Sequence, residues 1–123
     1  MKIFSTQSVQ HIASSITLEQ GKSTIKKFSD GELFVRIDEE VQGQDVWVLA
    51  GTQAPADNLI EFFFLCNALL KAGARINAVI TYLSYIRQIV AAPGEAHAIE
   101  VIANFINIFP FKKLYVVHPH SMA

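Results

Sequence analysis

Residues 46–83 read VWVLAGTQAPADNLIEFFFLCNALLKAGARINAVITYL, and this stretch decides the fold. The run at 46–50 is short, apolar and without alternation, as a strand buried on both faces requires. Gly51 ends it. At 57–72 the apolar residues recur at helical spacing, with Asp57 or Asn58 as the cap and Gly73 as the stop, and 76–83 is a second continuous apolar strand. Strand, helix and strand in succession make a parallel crossover, which is right-handed because twisted strands and helices pack back onto a sheet only in that sense.

Outward from this unit, Pro93-Gly94 breaks the chain, residues 96–109 read as a helix stopped by Pro110, and 114–117 as a last strand. Towards the amino terminus, residues 2–4 form an opening strand. Val9, Ile12, Ala13 and Ile16 then recur at helical spacing after a Ser8 cap, and Gly21 closes that helix. Residues 23–28 and 33–37 alternate apolar and polar around Ser29-Asp30-Gly31-Glu32, where Asp-Gly tolerates positive φ; this predicts a β-hairpin. The fold class is α/β: a mostly parallel twisted sheet with helices on both faces and a protruding β-hairpin, in one domain spanning 1–123.

Composition narrows the functions. The chain has 123 residues, 51% apolar and 17% charged, so it can bury a core and is not a disordered tail. Ten basic and eleven acidic side chains leave a formal charge of −1, so there is no overall basic field and nucleic acid is not an expected partner. The most apolar window, 59–70, is interrupted by Glu61 and Asn67 and falls short of the ~20 residues a membrane span needs, so no membrane is expected either. The single cysteine, Cys66, and the lack of a secretory leader predict a cytoplasmic protein.

In an open parallel sheet ligands meet the carboxyl ends of the strands. Three such exits carry polar residues: Gly51-Thr52-Gln53, Ser84-Tyr85-Ile86-Arg87-Gln88 and His118-Pro119-His120. Arg87 and Gln88 pair a guanidinium fork with an amide, a combination able to hold phosphate together with a base or hydroxyl, although on spacing alone a solvated loop is the simpler reading, since most loop arginines bind nothing specific. His118 and His120 point to one side of an extended segment and can approach a cation, but a transition-metal site needs a third ligand that no neighbour supplies. Phe28, beside the Asp30-Gly31 turn, either covers the hairpin or offers a flat platform for a ring. Asp38-Glu39-Glu40 reads as a solvated turn, Phe62-Phe63-Phe64 as core, and no Walker loop, G-x-G-x-x-G or G-x-S-x-G motif is present.

The opening Lys2-Ile3-Phe4-Ser5, Lys27-Phe28-Ser29-Asp30-Gly31-Glu32, residues 41–46, Asp57-Asn58-Leu59, Tyr85-Ile86-Arg87-Gln88 and Val101-Ile102-Ala103-Asn104 follow one another in an order that resembles the N-terminal domain of ribose-phosphate pyrophosphokinase. That resemblance implies a phosphoribosyltransferase-like fold and a parent activity: transfer of diphosphate from ATP to ribose 5-phosphate, with Mg²⁺ on the phosphates, to make phosphoribosyl pyrophosphate for nucleotide synthesis. It implies that Phe28 stacks on adenine, that Asp30 and Glu32, with Gly31 between them, meet the nucleoside of an ATP held by a neighbouring subunit, and that Arg87 and Gln88 contact ATP. It places His120 at a metal-site histidine and His118 where the family has aspartate, an imidazole in place of a hard oxygen ligand. Ile89, Val90 and Ala91 replace an aspartate and lysines. The family's second α/β domain has no counterpart in this sequence. The expectation is therefore a nucleotide-recognition domain, inactive alone and with no catalytic residue of its own, that forms a homo-oligomer. The alternative is a non-catalytic module that binds itself or a full-length synthetase.

Overall fold

The computed structural model describes residues 1–86 and 90–117. Among these, the strands are β1 (Lys2–Ser5), β2 (Glu19–Gln20), β3 (Ser23–Lys27), β4 (Leu33–Ile37), β5 (Asp45–Gly51), β6 (Arg75–Tyr82) and β7 (Lys113–Val116). The helices are α1 (Gln10–Ala13), preceded by a 3-10 turn at Gln7–Val9, α2 (Asp57–Lys71) and α3 (Ala98–Ile106). Five strands form one sheet in the order β2-β1-β5-β6-β7, and every pair in it is parallel. β3 and β4 stand apart as an antiparallel hairpin.

The apolar run at 46–50 is buried because each of its faces meets a different layer. Val46, Val48 and Ala50, with Ile76, Ala78 and Ile80 of β6, face Leu59, Phe62, Leu65 and Leu69 of α2 and Ile102 and Ile106 of α3. Phe62 is fully buried in this layer, where truncation to alanine costs about 3–5 kcal/mol. The opposite face, built on Ile3 and Leu49, is covered by Val9 of the 3-10 turn and Ala13 of α1. Helices thus lie on both faces, although α1 covers only the β1 side. Beyond it Trp47 stacks on Tyr115 with centroids 6.4 Å apart, and Tyr115 is half exposed.

The chain leaves β1 in one direction, through α1 to β2, and leaves β5 in the other, through α2 to β6. The carboxyl ends of β1 and β5 are therefore a topological switch point, where helix-bearing connections diverge and leave a crevice. Thr6 and Thr52, both buried, sit at these two exits, and the Thr6 N–H donates to the Leu49 carbonyl at 3.0 Å.

Several local expectations are corrected. Ser8 caps no helix; its hydroxyl donates to the Gly51 carbonyl at 2.7 Å and pins the 3-10 turn to β5. The first helix ends at Ala13, where the Ser14 and Ser15 hydroxyls turn back onto the carbonyls of His11 and Ile12. Gly21 does not close that helix. It follows β2, a strand the sequence reading missed, and a Cβ there would lie 2.4 Å from the buried Phe4 ring. Neither Asp57 nor Asn58 caps α2: Asp57 pairs with Lys27, and the Asn58 amide donates to the Gln53 carbonyl at 2.8 Å. Asp38-Glu39-Glu40 is bonded rather than merely solvated. Glu39 pairs with Lys2 and accepts the Lys22 N–H, and Asp38 accepts from Thr24 and Arg36. Only Phe62 of the phenylalanine run is fully buried, and Phe64 is 43% exposed.

Candidate functional site

The hairpin folds over α2. On its inner face Val35 and Ile37 join the core, and the Lys27–Asp57 ion pair, 2.6 Å, fastens its tip to the first turn of α2. The tip thereby reaches the carboxyl side of the sheet. The turn is held by Asp30, whose carboxylate accepts the Glu32 N–H at 3.0 Å, a bond that lowers the Asp30 pKa. Gly31 has φ +93°, a conformation that any side chain would strain.

Between this tip and α2 lies a cleft of about 430 Å³ lined by Phe28, Gly31, Glu32, Leu33, Asp57, Ile60 and Phe64. Phe28 is 46% exposed, so part of its ring is open to solvent at this cleft. Phe34 lies edge-on to the Phe28 ring at 5.6 Å, and the Lys26 ammonium is 5.5 Å from the Phe28 centroid. Ile60 and Phe64 supply an apolar wall, and Glu32 and Asp57 supply carboxylates. Such a set suits a flat ring carrying donor groups: apolar surface for the ring, acceptors for its amino and hydroxyl hydrogens.

The predicted site residues divide accordingly. Phe28, Gly31 and Glu32 meet at this cleft, and Asp30 shapes its turn. Arg87, Gln88, His118 and His120 lie outside the described residues. The segment after β6 is described as far as residue 86. The Thr52 hydroxyl donates to the Tyr82 carbonyl at 3.0 Å and accepts the Ser84 N–H at 3.0 Å. Tyr85 follows with φ +67°, a strained value for a residue with a side chain. These residues line a smaller cleft of about 180 Å³ at the ends of β5 and β6. The sequence reading missed Asp57, Ile60 and Phe64 as cleft residues. Their only signal was the helical spacing of 57, 60 and 64, which places them on one face.

Among the described residues no group of three histidine, cysteine or acidic side chains converges, and His118 and His120 offer imidazole nitrogens where Mg²⁺ demands oxygens. Cys66 is buried and its thiol pKa is raised by that burial, so it is no nucleophile. Among the described residues no helix is long and apolar enough to cross a membrane.

A doubly wound α/β sheet with a polar switch point and an exposed aromatic hairpin defines an α/β domain of the kind that meets ligands at the carboxyl ends of its strands. Residues 1–109 match the family model for the N-terminal domain of ribose phosphate pyrophosphokinase. The chain is 33% identical over 128 aligned positions to ribose-phosphate pyrophosphokinase 1 of Streptococcus pneumoniae, and 34% identical over 128 to that of Streptococcus pyogenes; in each case the match covers 98% of this chain and 40% of the relative. The crystal structure of phosphoribosylpyrophosphate synthetase from Mycobacterium smegmatis superposes with a TM-score of 0.84 at 26% identity, covering 98% of this chain and 43% of that one. The chain belongs to the ribose-phosphate pyrophosphokinase family of transferases in nucleotide biosynthesis, and corresponds to its N-terminal domain. It spans about 40% of the length of these curated relatives.

Proposed function

We propose that this domain holds the nucleoside end of ATP in the synthesis of phosphoribosyl pyrophosphate from ATP and ribose 5-phosphate. One observation carries the reading: a half-exposed Phe28 ring at the mouth of a carboxylate-rimmed cleft, on a hairpin whose turn is fixed by Asp30 and Gly31. Adenine stacks on Phe28, and Glu32, with the Asp30 oxygen not used in the turn, accepts hydrogens from the nucleoside. Arg87 and Gln88, at the exit of β6, bind phosphate oxygens. Mg²⁺ arrives with the substrate, chelated by the phosphates of ATP. The domain alone turns over little or no substrate, and it acts in the cytoplasm as part of a homo-oligomer in which the Phe28 hairpin serves a neighbour's nucleotide.

Isothermal titration with Mg-ATP tests this reading. It predicts heat that Phe28→Ala and Arg87→Ala each diminish, and silence at millimolar nucleotide defeats it. A second reading, a non-catalytic module that binds itself or a full-length synthetase, is favoured by the exposed Phe64, Phe105 and Ile108. Pull-down of a full-length synthetase by a variant that binds no ATP supports that one.

A further inference from the structure

A further cleft, of about 330 Å³, lies where β1 and β2 end. Its walls come from successive elements: Ser5 at the end of β1, Gln7 and Gln10 in the 3-10 turn and α1, Gln20 at the end of β2, and Ser23 at the start of β3. Ile3 and Ile25 add apolar surface. In the hairpin register Ser23 stands opposite Ile37 and Ile25 opposite Val35, so these residues share the inner face. That face therefore serves two places, α2 through Val35 and Ile37, and this cleft through Ser23 and Ile25.

The polar groups of the cleft are held in place yet left with bonding capacity. The Gln20 Nε2 donates to the Ala13 carbonyl at 2.8 Å and the Gln7 Nε2 to the Ile25 carbonyl at 3.4 Å, which fixes both amides and leaves each Oε1 as an acceptor. The turn that carries Gln7 is itself pinned, by its N–H to Glu61 and by Ser8 to the Gly51 carbonyl. Among the described residues the Ser5 and Ser23 hydroxyls and the Gln10 amide have no hydrogen-bond partner. Hydroxyls and amides that both donate and accept thus converge on one recess at the carboxyl ends of two parallel strands, where ligands of such sheets bind.

What the lining lacks narrows the ligand. No charged side chain lines the cleft among the described residues, so an anion entering it would lose its water without gaining a cation. No aromatic ring lines it either, so a flat base finds no surface to stack on. A sugar or polyol matches both features: its hydroxyls donate and accept as the serines and glutamines do, replacing water bond for bond, and its C–H surface meets Ile3 and Ile25. The volume stands at the small end of ligand pockets, which run from about 300 to 1,000 Å³. We propose that this cleft is a binding site for an uncharged, hydroxyl-rich small molecule of monosaccharide size. It is separate from the Phe28 cleft and shares no lining residue with it.

Titration of the whole chain with D-ribose, followed by amide chemical shifts, tests the site. Shifts should centre on Ser5, Gln7, Gln20 and Ser23 and should not respond to salt. Gln10→Leu and Ser23→Ala should each weaken binding roughly fivefold or more, and Lys71→Ala, at the far end of α2, should leave it unchanged. Gln10 makes no side-chain bond within the described fold, so Gln10→Leu should remain folded. Ser23→Thr keeps the hydroxyl and should retain most of the affinity. Ribose 5-phosphate should bind this cleft more weakly than ribose, and Gln10→Arg should reverse that order. No shifts at the cleft at high millimolar ribose, shifts that persist unchanged in both Gln10→Leu and Ser23→Ala, or tighter binding of the phosphorylated sugar by the unaltered chain overturns the proposal. Adenosine binding at Phe28 should be the same in Gln10→Leu as in the unaltered chain, so failure of the nucleoside reading leaves this site standing.

Discussion

The Glu61 carboxylate, 3% exposed within α2, accepts the backbone N–H of Gln7 at 2.5 Å and so ties the helix after β5 to the turn after β1. The bond crosses the switch point, and it satisfies a donor of the 3-10 turn that has no partner within the turn. Burial raises the Glu61 pKa above the ordinary value of 4.5; the Gln7 N–H opposes that shift and the charge of Asp57 adds to it.

A folded-state pKa above the unfolded one means that the native protein holds more protons in the window between them. Stability contributed by Glu61 is therefore full below its unfolded pKa and falls as pH rises through the folded value. Glu39 and Asp45, whose pKa values are lowered by Lys2 and by Lys112 with Arg75, work in the opposite sense and lose stability on acidification. Subtracting the melting temperature of Glu61→Gln from that of wild type, pH by pH, should isolate a difference that declines from pH 4.5 upward. Glu61→Ala should cost about 1–3 kcal/mol by stranding the Gln7 N–H. A difference curve that is flat, or that rises, refutes the assignment.

Gly21→Ala should destabilise the domain by about 1–3 kcal/mol, measured by urea denaturation, because the new methyl meets the buried Phe4 ring. Leaving the Gly21 position open is what lets β2 run alongside β1. Unchanged stability would mean that the Phe4 ring can shift after all.

Phe28→Ala should lower nucleoside affinity roughly tenfold, since stacking on an aromatic ring is worth about 1–3 kcal/mol per base. The ring is half exposed, so the melting temperature should barely move. Equal affinity for Phe28→Ala and wild type in an adenosine titration would remove the platform.

Asp30→Ala should loosen the turn by deleting the acceptor of the Glu32 N–H, and Gly31→Ala should strain it at φ +93°. Both should accelerate amide exchange at the tip, from Phe28 to Leu33, while leaving β5 and β6 protected. Exchange that quickens across the whole sheet would show that the hairpin is part of the folding core.

Light scattering should give a mass above the 13.7 kDa of one chain, and Phe64→Lys, which charges the exposed wall between hairpin and α2, should reduce it. A single-chain mass at every concentration contradicts the homo-oligomer.

The parallel core was legible because its residues act through neighbours of the same kind: the runs at 46–50 and 76–83 had to be buried wherever they lay. The hairpin was legible because Asp30-Gly31 solves a local problem of backbone geometry. Ser8, Asp57 and Asn58 were misread for the opposite reason. Each has the chemistry of a cap, but each bonds a group remote in sequence or in another element: the Gly51 carbonyl, the Lys27 ammonium and the Gln53 carbonyl. β2 consists of Glu19 and Gln20, which carry no strand signal of their own and are extended only because Lys2 and Ile3 pair with them. At the candidate site, the place of Phe28 beside a turn left open whether it covers the hairpin or lies exposed, because that depends on what the hairpin packs against. The gathering of Ser5, Gln20 and Ser23 about one cleft was hidden in the same way, because it depends on the pairing of β2 with β1.

No rung of the main sheet's ladder passes through β3 or β4. Residues on the outer side of that ribbon can therefore be exchanged without shifting the alignment of any central strand. Selection can retune what the flap grips, from one copy of the gene to another, while the scaffold beneath inherits nothing of the change.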